Sequence, residues 1–199
     1  SRLILMAFAA MLGGIIWIAP AGFLKLKLGI NEVITTLLLN YIAFNFLLHL
    51  LFGPWKDPVS GFPHSAQFDL VERLPKIGWE NLTYALPLAI FLVLLVWWIL
   101  SFSRVGYLLS FVSSNPTMAK AVGAPVLGLS VTAIILSGAI GGLTGFAIAS
   151  GIEFRMTRDF FSGFLFSGVL IAFLARNHPL GVSVVALFMA ILVLLGQSL

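Results

Sequence analysis

The sequence contains no cysteine and very little charge. Charged side chains make up 9% of its 199 residues, whereas soluble domains carry roughly 25%. Without cysteine the chain can form neither disulfides nor thiolate metal sites. So few charges could not cover a water-facing surface, and the mean hydropathy is +1.11. The composition therefore excludes a soluble domain and indicates an integral membrane protein.

Sequence patterns that carry chemistry are missing as well. The three histidines, His49, His64 and His178, lie in different segments and lack the spacing of metal ligands. The sequence has no GxSxG elbow, no HExxH pair and no P-loop. We therefore predict that the chain is not an enzyme and holds no cofactor or metal, and that any ATP hydrolysis takes place on another chain.

The charged residues occupy short polar intervals that alternate in sign. Their scatter argues against a nucleic-acid surface, although the net charge is +4. In membrane proteins, loops rich in lysine and arginine stay in the cytoplasm. We therefore predict that three net-positive intervals face the cytoplasm and that two neutral or slightly negative ones face outward. The positive intervals hold Lys25 and Lys27, Arg104 and Lys120, and Arg176; the others cover residues 53–81 and 153–159.

Six apolar runs separate these intervals and have about the length of spanning helices, without the alternation of a membrane barrel. We predict an all-α, polytopic membrane protein with about six spanning or re-entrant helices. Residues 1–199 are expected to form a single transmembrane domain, as part of a longer chain. Pro20 and Gly22 should close the first run, and the fifth is short enough to be tilted or re-entrant. The runs cover residues 3–18, 31–52, 83–102, 126–150, 160–175 and 180–195.

Residues 104–125 are the least apolar interval in the second half of the chain. Asn115 followed by Pro116 predicts the start of a short helix, with asparagine as N-cap and proline at the first helical position. Gly123 and Pro125 should end it. We predict a short, positively charged cytoplasmic helix through which a cytosolic partner acts on the membrane domain. A plain cytoplasmic loop is the alternative.

Polar side chains also occur inside the second apolar run. Glu32, Thr36 and Asn40 share one helical stripe, whereas Asn45 and His49 fall on roughly the opposite side. Such groups either line a translocation path or make interhelical hydrogen bonds that fix packing, and both readings stay open. Thr36, Asn40 and Asn45 are the candidates for a substrate path. Glu32 is expected to cap its helix at the cytoplasmic interface.

Small residues in the fourth run predict close helix packing. They repeat at four-residue spacing, and small side chains let helix backbones approach each other in a membrane. The candidate packing residues are Ser137, Gly138, Gly141, Gly142 and Gly145.

Several segments resemble the permease subunits of bacterial nucleoside ABC importers. Three of them resemble the nucleoside branch, and three resemble the broader superfamily of ribose-type sugar and branched-chain amino acid permeases. The first three are GINEVITTLLLNYIA (29–43), GPWKDP (53–58) and GFPHSA (61–66). The others are VGYLLSFVSSNPTMAKAVGAPV (105–126), LSGAIGGLTG (136–145) and SGFLFSGVLIAFLARNHPLG (162–181).

The resemblance implies a multi-pass subunit of the bacterial cytoplasmic (inner) membrane, surrounded by lipid. Its expected partners are cytosolic ATP-binding subunits, a second permease subunit that is identical or paralogous, and an extracytoplasmic substrate-binding protein. In this superfamily the cytoplasmic loop forms a coupling helix that sits in a groove of the ATPase. The matching positions are Asn115, Pro116, Ala119, Lys120 and Gly123.

These expectations combine into an ATP-driven importer that translocates nucleosides by alternating access. A permease for simple sugars or branched-chain amino acids is the alternative. An ion-coupled secondary transporter is less favoured, because Glu32 is the only carboxylate within an expected span. A membrane scaffold without substrate is also less favoured, because it would not need the polar stripe.

Overall fold

The computed structural model of this chain describes residues 2–58, 61–78, 82–158, 164–176 and 178–198. Within them, five stretches are long and apolar enough to cross a membrane, so the predicted all-α, polytopic membrane architecture is confirmed. These five are α1, α2, α3, α6 with its π-helical turn, and α8. The elements are α1 (Arg2–Leu28), α2 (Glu32–Phe52), α3 (Ala85–Phe102), α4 (Arg104–Ser114), α5 (Pro116–Ala121), α6 (Val126–Ile148), the π-helical turn (Ala149–Glu153), α7 (Phe164–Leu174) and α8 (Pro179–Ser198).

Helix α1 is longer than its apolar run. It passes through Pro20 and Gly22 without ending, so the expected end of the helix at these residues is wrong. Proline is tolerated in membrane helices because neighbouring helices and local adjustments satisfy the backbone groups that it frees. Lys25 and Lys27 therefore lie in the last turn of α1 rather than in a loop. Gly29, with a φ of +66°, follows the helix end.

Helices α1 and α6 form the most extensive helix pair of the described chain, and they run antiparallel. A Cβ added to Gly14 would lie 2.2 Å from the carbonyl oxygen of Gly138. One added to Gly142 would lie 2.0 Å from the carbonyl oxygen of Ala10. Backbone therefore packs directly on backbone, which stabilises helix pairs in lipid, where no hydrophobic effect drives helices together.

The predicted small-residue cluster is divided between two sides of α6. Gly138 and Gly142 contact α1, whereas a Cβ added to Gly141 or Gly145 would meet no described neighbour within 4 Å. Ser137 is exposed. A packing role for Ser137, Gly141 and Gly145 stays a prediction, and α1 is not the helix that would fulfil it.

The antiparallel pairing gives the bundle two distinct ends. The end of α1 lies beside the start of α6, and we call this the basic end because it carries Lys25, Lys27, Arg104 and Lys120. At the opposite end, the described residues of the 53–78 segment fold over the π-helical turn that follows α6. The two intervals with neutral or slightly negative charge therefore lie together, as their charges predict.

Backbone hydrogen bonds fasten the 53–78 segment to the chain that follows α6. The Leu74 amide donates to the Ser150 carbonyl at 2.9 Å, and the Phe68 amide donates to the Phe154 carbonyl at 2.9 Å. The guanidinium of Arg73 lies 5.2 Å from the centroid of the Phe154 ring. These contacts join the connection between α2 and α3 to the far end of α6.

The fifth apolar run is represented by α7. Its 11 residues rise about 16 Å at 1.5 Å per residue, roughly half of the 30 Å hydrocarbon core. Residues 159–163, where this run begins, lie outside the described part of the chain. A tilted or re-entrant segment here stays a prediction.

Candidate functional site

Two short helices occupy the interval between α3 and α6 at the basic end. Helix α5 begins as its sequence predicts, because the Asn115 Oδ1 accepts a hydrogen bond from the Met118 amide at 3.0 Å and Pro116 occupies the first turn. The structure contains the predicted short helix, whereas its cytoplasmic position and its coupling role stay predictions.

Gly123 ends this helix in a conformation that suits glycine. Its φ is +82°, and this left-handed geometry costs other residues roughly 1–2 kcal/mol. The Ala124 amide then donates to the Ala119 carbonyl at 2.9 Å, which satisfies a carbonyl at the helix end. The chain reaches α6 after only four residues, 122–125, so α5 is closely connected to α6.

The side chains of α5 divide into a buried and an exposed set. Ala119 is completely buried, and α5 contacts both α4 and α6. Met118 is 57% exposed, Val122 is 71% exposed, and Lys120 is also exposed. Ala119 therefore fixes α5 to the membrane domain, whereas the three exposed side chains are available to a partner. Sequence reasoning missed Met118 and Val122, although their four-residue spacing places them on one helix side.

At the basic end, Arg104 and Lys120 lie in a stretch of the sequence that contains no acidic residue. No acidic residue occurs between Glu80 and Glu153 in the sequence. Lys25 pairs with Glu32, but none of the ion pairs in the described part of the chain involves Arg104 or Lys120. This surface should therefore attract a negatively charged partner.

Asn31, rather than Glu32, caps helix α2. The Asn31 Oδ1 accepts a hydrogen bond from the Val33 amide at 2.9 Å, while Glu32 lies in the first turn and pairs with Lys25. The expectation that Glu32 is the cap is wrong, because the shorter asparagine side chain can reach the amide two residues further on.

The other polar residues of α2 differ in their hydrogen bonding. Thr36 donates to the Glu32 carbonyl at 2.8 Å, and Asn45 donates to the Tyr41 carbonyl at 2.8 Å. Asn40 is half-buried, and the hydrogen bonds of the described residues include none from its amide. None of the three side chains bonds to another helix within this part of the chain, so the interhelical bonds considered above are not seen. Thr36 and Asn40 lie towards the partly buried side of α2, whereas Asn45 is exposed.

A large cavity lies between α3, α6 and α8. Its volume is about 780 Å³, and apart from Thr83 and Thr144 its side chains are apolar. The Thr144 hydroxyl already donates to the Ile140 carbonyl at 2.9 Å. A hydroxylated solute would find few hydrogen-bond partners here. The described residues also contain no cluster of histidine and acidic side chains that could hold a metal ion.

Comparison with known proteins assigns this architecture to a family. The family described as "Branched-chain amino acid transport system / permease component" matches residues 1–199. The chain belongs to this family. The resemblance to the superfamily of sugar and branched-chain amino acid permeases is confirmed, and the chain is a multi-pass membrane protein of a permease family.

Three curated relatives are similar over most of this permease. The glucose ABC transporter permease protein of Haloferax volcanii is 31% identical over 205 residues, covering 98% of this chain and 54% of the relative. The guanosine ABC transporter permease protein NupP of Bacillus subtilis is 28% identical, covering 89% of this chain and 52% of the relative. The nucleoside ABC transporter permease protein of Lactococcus lactis is 26% identical, covering 94% and 53%. The permease chain thus spans about half the length of these relatives. No solved structure matches it.

Proposed function

We propose that this protein is the membrane-spanning permease subunit of an ATP-driven importer in the cytoplasmic membrane. Residues 1–199 form a single transmembrane domain, with residues 104–125 as the cytoplasmic coupling segment and residues 53–81 as an extracytoplasmic loop. Cytosolic ATP-binding subunits, a second permease subunit and an extracytoplasmic substrate-binding protein complete the importer. The observation that carries this proposal is helix α5, which exposes Met118 and Lys120 and is followed by the exposed Val122, at the basic end of a chain from a permease family.

The connections of α5 suggest how a cytosolic ATPase moves the membrane domain. Ala119 is buried against the body of the protein, and residues 122–125 lead directly into α6. Helix α6 in turn packs closely on α1 through backbone contacts, and close-packed interiors transmit displacement. A displacement of α5 therefore moves α6 and α1 together, as expected for alternating access by rigid-body movement.

The substrate is a hydroxylated solute, and a nucleoside is our first choice. Two of the three relatives named above are called guanosine and nucleoside permeases, and residues 29–43 and 53–66 resemble that branch. Thr36, Asn40 and Asn45 carry hydrogen-bonding groups that suit ring hydroxyls and bases. Of the three, Asn40 is the strongest candidate, because its half-buried amide is not engaged by the described residues. Glucose is the second candidate, favoured by the relative that is 31% identical.

Uptake into proteoliposomes tests the proposal. The full-length protein would be reconstituted with its ATP-binding subunits and binding protein, and uptake of labelled guanosine, uridine, glucose and leucine would be measured. We expect nucleoside uptake that requires ATP hydrolysis. If glucose is the only one of the four solutes taken up, the substrate is glucose and not a nucleoside. Uptake that proceeds unchanged without the ATP-binding subunits would contradict an ATP-driven importer.

A further inference from the structure

A cleft at the corner between α3 and α4 is not used by the proposed transport mechanism. Its volume is about 450 Å³, and it lies at the basic end of the bundle. The corner is rigid, because the Ser103 hydroxyl donates to the Ile99 carbonyl at 2.5 Å and accepts from the Gly106 amide at 3.0 Å. The cleft is lined by Ser101, Phe102, Ser103, Arg104, Tyr107 and Leu108.

Arg104 gives this cleft a positive charge. Its side chain is exposed, and none of the ion pairs in the described part of the chain includes it. The nearest acidic residues along the sequence are Glu80 and Glu153. A guanidinium presents several N–H donors in a planar fork that matches phosphate oxygens.

The position of the cleft places it at the depth of lipid head groups. Arg104 comes two residues after Phe102, the last residue of the spanning helix α3. Trp98 is 57% exposed, Phe102 67% and Tyr107 74%, and such aromatic residues concentrate at membrane–water interfaces. Helix α3 has no buried residue, so its apolar side is open to acyl chains.

We propose that this cleft binds the phosphate group of an anionic glycerophospholipid from the leaflet at the basic end. The Arg104 guanidinium pairs with the phosphate, the hydroxyls of Ser101 and Tyr107 donate to the head group, and the acyl chains lie along α3. A lipid fits better than a soluble protein, because charge, exposed aromatic rings and an apolar flank meet at one depth. The site holds the corner from which α4 leads to α5, and it is independent of which solute is transported.

Lipid competition on the intact, full-length protein tests this site. The protein would be purified in mild detergent and exposed to equal amounts of phosphatidylglycerol and phosphatidylcholine, and retained lipid would be counted by native mass spectrometry. We expect the wild type to retain about fivefold more phosphatidylglycerol, as a single basic residue at a membrane surface can provide. The ratio of retained phosphatidylglycerol to phosphatidylcholine should fall to about one in Arg104→Gln and should stay at about five in the control Lys27→Gln.

A charge-retaining variant and two soluble phosphate compounds serve as further tests of this site. Arg104→Lys, which retains the charge without the fork, should keep part of the preference even if Arg104→Gln folds poorly. Inorganic phosphate and glycerol 3-phosphate, added without lipid, should not raise the melting temperature. If they raise it in an Arg104-dependent way, the ligand is a soluble phosphate and the lipid proposal is wrong. The lipid proposal would be overturned if folded Arg104→Gln kept the preference for phosphatidylglycerol, or if Lys27→Gln lost the preference equally. It would also be overturned if Arg104→Gln lost only its association with the ATPase and retained the lipid preference.

Discussion

Positions 138 and 142 require glycine because another backbone lies close to them, and not because of an unusual backbone angle. Their conformation is ordinary helix, yet added Cβ atoms would lie 2.8 Å from the Gly14 carbonyl oxygen and 2.0 Å from the Ala10 carbonyl oxygen, respectively. Because both obstacles are backbone atoms, no side chain can rotate away to make room. The close contact between α1 and α6 therefore depends on the absence of a Cβ atom at these two positions.

The substitution Gly142→Ala should destabilise the protein. The added methyl group would push α1 away from α6 and so weaken their packing. Overpacking of this kind typically lowers the free energy of unfolding by about 1–3 kcal/mol, and we expect a loss of that size here. The matched control is Gly141→Ala, whose Cβ meets no described neighbour. The control should be neutral or slightly stabilising, because alanine favours helix over glycine by about 1 kcal/mol. Thermal unfolding in detergent measures both, and equal stability of the two variants would contradict the backbone contact.

Asn40→Leu should weaken substrate uptake. Loss of one hydrogen bond to a solute is worth about 1 kcal/mol, which corresponds to roughly a fivefold rise in KM. Thr132→Val is the control, because Thr132 is exposed on α6 and its hydroxyl bonds to its own helix at the Gly128 carbonyl. If Asn40→Leu lowers the melting temperature but leaves KM unchanged, Asn40 fixes packing and does not contact the solute.

At the residue scale, the sequence predicts helix caps and turns better than it predicts which side chains are buried against other helices. The Asn115 cap and the Gly123 stop could be predicted because each depends on bonds within a few residues. The exposure of Met118 and the burial of Ala119 could not, because they depend on where α4 and α6 lie. The same reason explains why Gly138 could not be separated from Gly141 in advance.

At the scale of elements, the 53–78 segment holds the end of α6 by its backbone and by Arg73. The Arg73 Nε also donates to the Phe68 carbonyl at 2.8 Å. Phe154, whose ring lies beneath the guanidinium, has a left-handed φ of 55°, a conformation that costs a phenylalanine free energy. The neighbouring segment therefore stabilises an otherwise unfavourable turn.

Arg73→Gln should loosen this segment. It removes the contact with the Phe154 ring and two hydrogen bonds, together worth about 1–2 kcal/mol at a partly exposed site. We expect a lower melting temperature and faster amide hydrogen exchange in residues 65–74. Arg158→Gln, at an exposed arginine of the same end, should change neither quantity. Identical exchange in both variants would show that Arg73 does not hold the segment.

Helix boundaries differed in how well the sequence predicted them. The start of α2 was predicted to within one residue from the apolar run 31–52, although the cap was assigned to Glu32 instead of Asn31. The end of α1 was not predicted, because rules from soluble proteins treat Pro20 as a helix breaker. In a membrane, Pro20 is accommodated within the helix and the neighbouring Gly22 packs against the Ile134 side chain of α6.

At the scale of the whole molecule, composition and loop charge were sufficient for the architecture. The low charge predicted membrane helices, and the charges of the intervals predicted that Lys25, Lys27, Arg104 and Lys120 share one end of the bundle. The end at which Arg176 lies stays a prediction. The contacts of residues 53–78 with the π-helical turn were not predictable, since they join parts of the chain about 80 to 90 residues apart through backbone groups. The polar stripe of α2 could be located by periodicity, but its role depends on the substrate and on partner subunits.

The central claim is that α5 at the basic end contacts the ATP-binding subunit. Residues 1–199 contain no cysteine, so single cysteines introduced here report this contact once any cysteines elsewhere in the full-length protein have been replaced. Val122→Cys, at a 71% exposed position directly after α5, would be compared with Leu70→Cys, an 83% exposed position at the opposite end. Each variant of the full-length protein would be treated with a short thiol-reactive photo-crosslinker in membranes that contain the ATP-binding subunit. The account predicts a crosslink from Val122→Cys and none from Leu70→Cys; a crosslink from Leu70→Cys alone would contradict it.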